Sequence, residues 1–199
     1  MSNIIIGFSG KAGAGKDTAA EMLSVALRIQ NQLVRSDSFA APLKEACCKI
    51  FGWSDSVYTD RDVKEVVDKY WGFSPRTAAQ LMGTEAMRAV FGNDLWIRAL
   101  EHRLPPEYFT KPVFTIITDV RFQNEANWVL SNDGFLIHID RFQGTLEGDA
   151  INHASEQGYT IDPPHPNFYN LTNNDSLTQL QTKIELLAGK ILGQLSIQK

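Results

Sequence analysis

Residues 4–23 read IIIGFSGKAGAGKDTAAEML, and this stretch decides the fold. Asn3 to Phe8 is a short apolar, β-branched run of the buried-strand kind. From Thr18 onward the apolar residues Ala19, Met22, Leu23, Ala26 and Leu27 recur at helical spacing. Between the two lies G-x-x-x-x-G-K, at Gly10, Gly15 and Lys16. That pattern belongs to loops whose backbone N–H groups cradle phosphates while the lysine reaches the terminal ones. By residue frequency alone it arises in about one chain in twenty of this size, so the flanking strand and helix carry most of the weight. A loop that opens a helix aims unpaired N–H groups and the positive end of the macrodipole at one spot, which suits a polyphosphate. The residues expected to hold that anion are Lys11, Ala12, Gly13, Ala14, Gly15, Lys16, Asp17 and Thr18. Asp17 breaks the pattern, because it stands where a Mg²⁺-binding hydroxyl is usual.

The 199 residues, 43% of them hydrophobic, suffice for one sizeable core, and a single domain over 1–199 is expected. A formal net charge of -4 offers no basic field to a nucleic-acid backbone, so no nucleic-acid polymer is expected as partner. No opening run has the form of a signal peptide and no apolar stretch approaches the length of a membrane span, which points to the cytoplasm. Cys47 and Cys48 are adjacent, without C-x-x-C spacing, and read as buried thiols in a reducing compartment.

Further along, Leu33–Ser36 is a short second strand that ends at the polar pair Asp37 and Ser38. Pro42 suits the first turn of a helix whose apolar stripe is Leu43, Ala46, Cys47 and Ile50. Residues 53–111 hold no convincing strand and read as a helical insertion, broken at Gly72 to Pro75 and at Gly92 to Asp94. VFTIITDV (113–120) returns to the buried-strand pattern, Phe122 to Leu130 is helical, and GFLIHID (134–140) is a fourth strand. A polar segment at 141–160 is a candidate lid, and Phe168 to Leu171 a fifth strand. Asn174 or Asp175 is expected to cap a last helix with Leu177, Leu180, Ile184, Leu187, Ala188, Ile191 and Leu195 on one face. The alternation predicts an α/β fold of three layers: a five-stranded parallel sheet with phosphate loop, a helical insertion after strand two and a lid segment.

In an open parallel sheet, ligands bind at the carboxyl ends of the strands. Those ends are polar here: Asp37 and Ser38, Asp119 with Arg121, Asp140 with Arg141. Asp119 has the position of a carboxylate that holds Mg²⁺ directly or through water, or else caps the next helix. Arg121 would bridge a transferring phosphate, or pair with Glu125 four residues on. Lys44, Arg76 and Arg88 lie in the helical region, where composition alone would leave them as solvated charges.

GKAGAGKDTAAEML, SFAAPLKEA, SPRTAAQLMGTEAMR, NDLWI, TDVRFQNEA and HASE, spread over residues 7–156, together resemble the phage deoxynucleoside monophosphate kinases, a branch of the phosphate-loop kinases. The resemblance implies phosphoryl transfer from ATP to a deoxynucleoside 5'-monophosphate with Mg²⁺, commonly by a homodimer, in the host cytoplasm if the chain is phage-encoded. It makes 53–111 the acceptor side, and it implies that Lys44, Arg76, Arg88, Arg121 and His153 lie near the acceptor or the transferring phosphate. The full substrate set expected is Ser38, Phe39, Lys44, Arg76, Gln80, Arg88, Arg121, Arg141, His153 and Glu156. Lys16, Arg76, Asp119 and Arg121 are the catalytic candidates. Phe39, Trp71 and Trp96 lie near an expected acceptor base, though each fits a core better than a stacking platform.

Monophosphate kinases commonly read G-K-G-T, so the hydroxyl of GKDT falls one place later, at Thr18. Asp17 would be repelled by bare phosphates, so it either joins Mg²⁺, with Asp119 as the other metal carboxylate, or turns toward the helix N-terminus; the metal-linked reading is favoured. Rival readings are a dephospho-coenzyme A or phosphomevalonate type of kinase, and a non-catalytic nucleotide switch. The switch lacks a guanine motif, TKIE (182–185) being the nearest string.

Overall fold

The computed structural model describes residues 3–105, 111–141, 159–162 and 164–197, apart from the side chains of Arg61 and Ile197. The chain divides into two compact units, one formed by Met1–Ser38 with Arg103–Lys199, the other by Phe39–His102.

Unit 1 is built on five parallel strands in the order β2-β3-β1-β4-β5. They are β1 (Asn3–Ser9), β2 (Leu33–Asp37), β3 (Val113–Val120), β4 (Phe135–Asp140) and β5 (Phe168–Thr172). The apolar run of β1 sits at the centre, where both its faces are covered, and this is why it reads as continuous rather than alternating. Ile6 pairs with Ile116 on one side and Phe135 on the other. On one face, Ile6, Phe8, Phe114, Ile116 and Ile137 meet Ala19, Leu23 and Leu27 of α1 (Lys16–Ile29) and Leu180, Ile184, Leu187 and Ile191 of α8 (Leu177–Ile197). Each fully buried Leu or Ile there contributes about 1.5–3 kcal/mol. On the other, α7 (Gln123–Ser131) packs on β1 and β4 with Ala126 and Val129 buried.

Two details of α8 differ from the sequence reading. The cap of α8 is Ser176, not Asn174 or Asp175: its hydroxyl accepts from Gln179 N at 3.3 Å while Gln179 Oε1 accepts from Ser176 N at 3.0 Å. This reciprocal box satisfies two backbone donors at once, which a lone Asx cap does not. Leu177, expected in the buried stripe, is 64% exposed because it is the first residue of the helix and lies outside the packed face.

Unit 2 is helical throughout: α2 (Ala41–Phe51), a 3₁₀ turn (Asp55–Tyr58), α3 (Arg61–Lys64), α4 (Pro75–Gln80), a π-helix (Leu81–Arg88), α5 (Ala89–Phe91) and α6 (Leu95–Glu101). On α2 the buried residues are Leu43, Cys47 and Cys48; Ile50 is 57% exposed, so the buried stripe runs through Cys48 instead. Backbone carbonyls of unit 2 are tied by long side chains: Tyr58 Oη donates to Pro75 O at 3.0 Å, Trp71 Nε1 to Phe51 O at 3.0 Å and Trp96 Nε1 to Gly83 O at 3.1 Å. Burial pushes the Tyr58 phenol and the Cys47 thiol above their ordinary values, so both stay protonated. No described helix is long and apolar enough to cross a membrane.

Candidate active site

The loop between β1 and α1 takes a shape only glycine permits. Gly10 has φ +133°, and a Cβ there would lie 2.2 Å from the Ile139 carbonyl oxygen of β4. Gly15 has φ +96° and closes against Asn173, whose Nδ2 donates to Ala14 O at 2.8 Å. The loop is thus moulded on the ends of the neighbouring strands. Gly15 is also the N-cap of α1 and offers no side-chain cap, so the helix opens with its first N–H groups and dipole directed outward. Lys16 Nζ folds back to donate to Gly10 O at 2.7 Å and Lys11 O at 2.9 Å. An ammonium, an uncapped helix start and three left-handed glycines at 10, 13 and 15 therefore share one loop.

Asp17 and Thr18 are both exposed in the first turn of α1. Asp17 makes no hydrogen bond or ion pair among the described residues, so its carboxylate does not cap the helix. Asp119 is half-buried near the end of β3, and the residue after it, Val120, is the β-partner of Ser9. The topology thus carries Asp119 to the rim where the phosphate loop begins. Arg121 follows at once and is half-buried. Its backbone is bonded to Glu125: Glu125 Oε2 accepts from Arg121 N at 2.8 Å and from Phe122 N at 3.1 Å, which fixes the start of α7. Arg141 is exposed one residue past β4.

At the end of β2, Asp37 is clamped. Its Oδ2 lies 2.5 Å from Arg35 Nη2, and its Oδ1 accepts from Arg103 Nη2 at 3.0 Å and from Ser38 N at 2.7 Å. Arg103 also donates to Ser38 O at 2.9 Å, so the residue where the chain leaves unit 1 is bonded to the one where it returns. Sequence reading gave Asp37 only as a polar strand end; the second of its cationic partners, Arg103, lies 66 residues away.

Within unit 2, Lys44 is half-buried and, with Ala41, Glu45, Cys48, Asp55, Tyr58 and Thr59, lines a cavity of about 350 Å³. Ser74 caps α4, accepting from Thr77 N, and Arg76 at its start pairs with Glu65 at 2.9 Å. Gln80 ends α4 with its Nε2 buried and no hydrogen-bond partner among the described residues. The π-helix then carries the chain to Arg88, which is 7% exposed. Such wide turns are rare and cluster at functional sites. Phe39 and Trp96 are core residues at 2% and 8% exposure, whereas Trp71 is 36% exposed and packs edge-on against Phe51. His153, Glu156 and most of the candidate lid lie outside the described residues.

A parallel sheet in this order, with the glycine loop rising from its central strand into α1, has the fold of the phosphate-loop kinases. A gluconokinase from Sinorhizobium meliloti 1021 superposes with a TM-score of 0.53 at 8% identity, covering 98% of this chain and 97% of that one. The sequence pattern of deoxynucleotide monophosphate kinase matches residues 49–184. A putative deoxynucleotide monophosphate kinase of Acanthamoeba polyphaga mimivirus is 36% identical over 77% of this chain and 80% of its own length. The deoxynucleoside-5'-monophosphate kinase of Escherichia phage T5 is 24% identical over 82% of this chain and 83% of its own. The chain belongs to the deoxynucleotide monophosphate kinase family.

Proposed function

We propose that the protein transfers the γ-phosphoryl group of ATP to the 5'-phosphate of a deoxynucleoside monophosphate, releasing ADP and a deoxynucleoside diphosphate. The observation that carries this reading is the uncapped start of α1, with Lys16 folded over a glycine loop at the end of the central strand. The N–H groups from Gly13 to Thr18 hold the donor phosphates, and Lys16 leaves the loop carbonyls to span the β- and γ-phosphates.

Asp17 and Asp119 are the carboxylates for Mg²⁺. Among the described residues no three His, Cys, Asp or Glu side chains form a metal cage. A Mg²⁺ ion held by phosphate oxygens and water needs only one or two carboxylates, and the exposed Asp17 beside Thr18 fits that demand. When bound, the ion neutralises charge between the β- and γ-phosphates.

Lys44, Arg76, Gln80 and Arg88 of unit 2 are the acceptor side, with Ser38 and Phe39 leading into it. Arg121 and Arg141 cover the moving phosphoryl group, and His153 and Glu156 act in the candidate lid at 141–160. The acceptor oxygen is already anionic near neutral pH, so the protein contributes positioning and charge rather than a strong base. A homodimer in the cytoplasm of the host completes the reading, and sedimentation of the pure chain tests its oligomeric part.

The test is ADP release with every common nucleoside and deoxynucleoside monophosphate, beside non-nucleotide acceptors such as dephospho-coenzyme A. Lys16→Ala should abolish transfer, and Arg121→Ala should lower turnover far more than ATP affinity. Activity with none of the monophosphates would overturn the reading.

A further inference from the structure

We propose that Ser9, His138 and Tyr159 form a hydrogen-bonded relay that positions the phosphate loop from beneath, tying the chain at Tyr159 to the residue that carries Gly10. The inference rests on the kinase reading above. The three residues are far apart in sequence and are brought together by the sheet. Ser9 ends β1 and is 1% exposed, and His138 of β4 is its β-partner. Ser9 Oγ lies 3.0 Å from His138 Nδ1 and also bonds the Tyr159 hydroxyl. The imidazole and phenol rings meet edge-on with centroids 6.3 Å apart.

A serine hydroxyl has one hydrogen and two acceptor sites, so the direction of the relay can be worked out. If Tyr159 donates to Ser9 and Ser9 donates to His138 Nδ1, each hydroxyl hydrogen has an acceptor and the imidazole is neutral with its proton on Nε2. The reverse direction would strand the Tyr159 hydrogen, since Ser9 is its one hydrogen-bond partner among the described residues. The relay acts on the loop because Gly10 follows Ser9 directly. Gly10 cannot give way toward Ile139, and its carbonyl is the one that Lys16 Nζ bonds at 2.7 Å. A shift of Ser9 therefore moves the ammonium that serves the donor phosphates.

A neutral His138 is required, because an imidazolium would turn Nδ1 into a donor facing the Ser9 hydrogen. Among the described residues, the charged groups that face the ring are Lys16 of α1, which opposes a second positive charge, and Asp140 of its own strand, which favours it. The β5 partner, Asn170, is uncharged, and burial pushes the Tyr159 phenol up to about 12, so it keeps its hydrogen. Burial and Lys16 outweigh Asp140 and hold His138 below its ordinary value.

The experiment measures ATP affinity by calorimetry on the full chain, alongside ADP release with an accepted monophosphate. Ser9→Ala and Tyr159→Phe should each weaken ATP binding about tenfold while leaving monophosphate KM unchanged. The double variant should be no worse than Ser9→Ala alone, because both changes cut one chain. Wild-type ATP affinity should fall on acidification from about pH 8 to 5.5, and His138→Gln should flatten that limb whatever its level at neutral pH. A role in stability alone would lower the melting temperature and leave the ATP affinity unmoved. Variants binding ATP within twofold of wild type, additive losses in the double variant, or an unchanged acid limb in His138→Gln would each overturn the relay. A wild-type chain that binds ATP but phosphorylates nothing would sink the kinase reading instead, and the binding measurements would still decide the relay.

Discussion

In unit 1 the glycine loop is held largely by backbone, with a few side-chain ties. Gly10 lies against the Ile139 carbonyl, Ala14 is bonded through Asn173, and the strands beneath are fixed by parallel ladders around β1. In unit 2 the comparable work falls to side chains. Indoles and a phenol reach carbonyls, Trp53 Nε1 donates to Asp68 Oδ2 at 2.7 Å, and Val66, Val67, Tyr70, Val90 and Phe91 stay exposed. A ladder constrains every residue along it, whereas a tether constrains one point. The glycine loop of unit 1 is therefore rigid to small changes and intolerant of an added atom. The helices of unit 2 tolerate more and are tuned by fewer contacts.

The sharpest way to break this contrast is Gly10→Ala. Its Cβ would meet a carbonyl oxygen that belongs to a sheet ladder and cannot move aside, in a left-handed conformation that L side chains avoid. Displacing the loop by about 1 Å is expected to lower turnover a hundredfold or more. Gly13→Ala, whose Cβ would meet nothing within 4 Å, should cost far less. Equal losses in the two variants would mean that backbone strain, not the moulding of the loop on β4, sets the effect.

Next in size is Leu23→Ala on α1. Leu23 is fully buried in the core of unit 1, so its truncation should cost about 2–5 kcal/mol in a denaturant titration. Asp37→Asn should follow at about 1–3 kcal/mol. The amide keeps the shape but cannot accept from both Arg35 and Arg103 while also taking Ser38 N–H. Because the clamp bonds the two chain passages of unit 1, monophosphate KM is expected to rise more than ATP KM.

How much of this was legible follows the same division. VFTIITDV was readable to the residue because a buried strand announces itself in a continuous apolar run. The tight loop between β1 and α1 was readable because Gly10 and Gly15, both at positive φ, stand with Lys16 at the fixed spacing of a glycine loop. The π-helix was not, since LMGTEAMR has ordinary helical composition; nor was the close approach at Gly83, where a Cβ would lie 2.5 Å from the Leu43 side chain. The Asp37 clamp and the Ser9–His138–Tyr159 cluster were equally invisible, as no local pattern links residues that only the sheet order unites.

In unit 2, Trp96→Phe sharpens the comparison. Phenylalanine refills most of the space but leaves the buried Gly83 carbonyl without its indole donor, at a cost of about 1 kcal/mol. If unit 2 is tuned by single tethers, monophosphate KM should rise severalfold while ATP KM stays put, measured by ADP release.

The smallest effect expected is on stability against acid, and it belongs to unit 1. His138 is held below its ordinary value by burial, with Lys16 adding to the shift and Asp140 working against it. The unfolded chain therefore binds the proton more readily than the folded one near and below pH ~6.5. The stability tied to neutral His138 is complete above that pH and declines as the pH falls through the imidazole range. His138→Gln should remove this slope from the denaturant midpoint measured between about pH 7.5 and 5. The effect is small because the ring is only half-buried and one neighbouring carboxylate opposes the shift. Trp96→Phe should leave the slope untouched, since the charged groups acting on His138, Lys16 and Asp140, lie in unit 1, and an altered slope there would assign it to another titrating group.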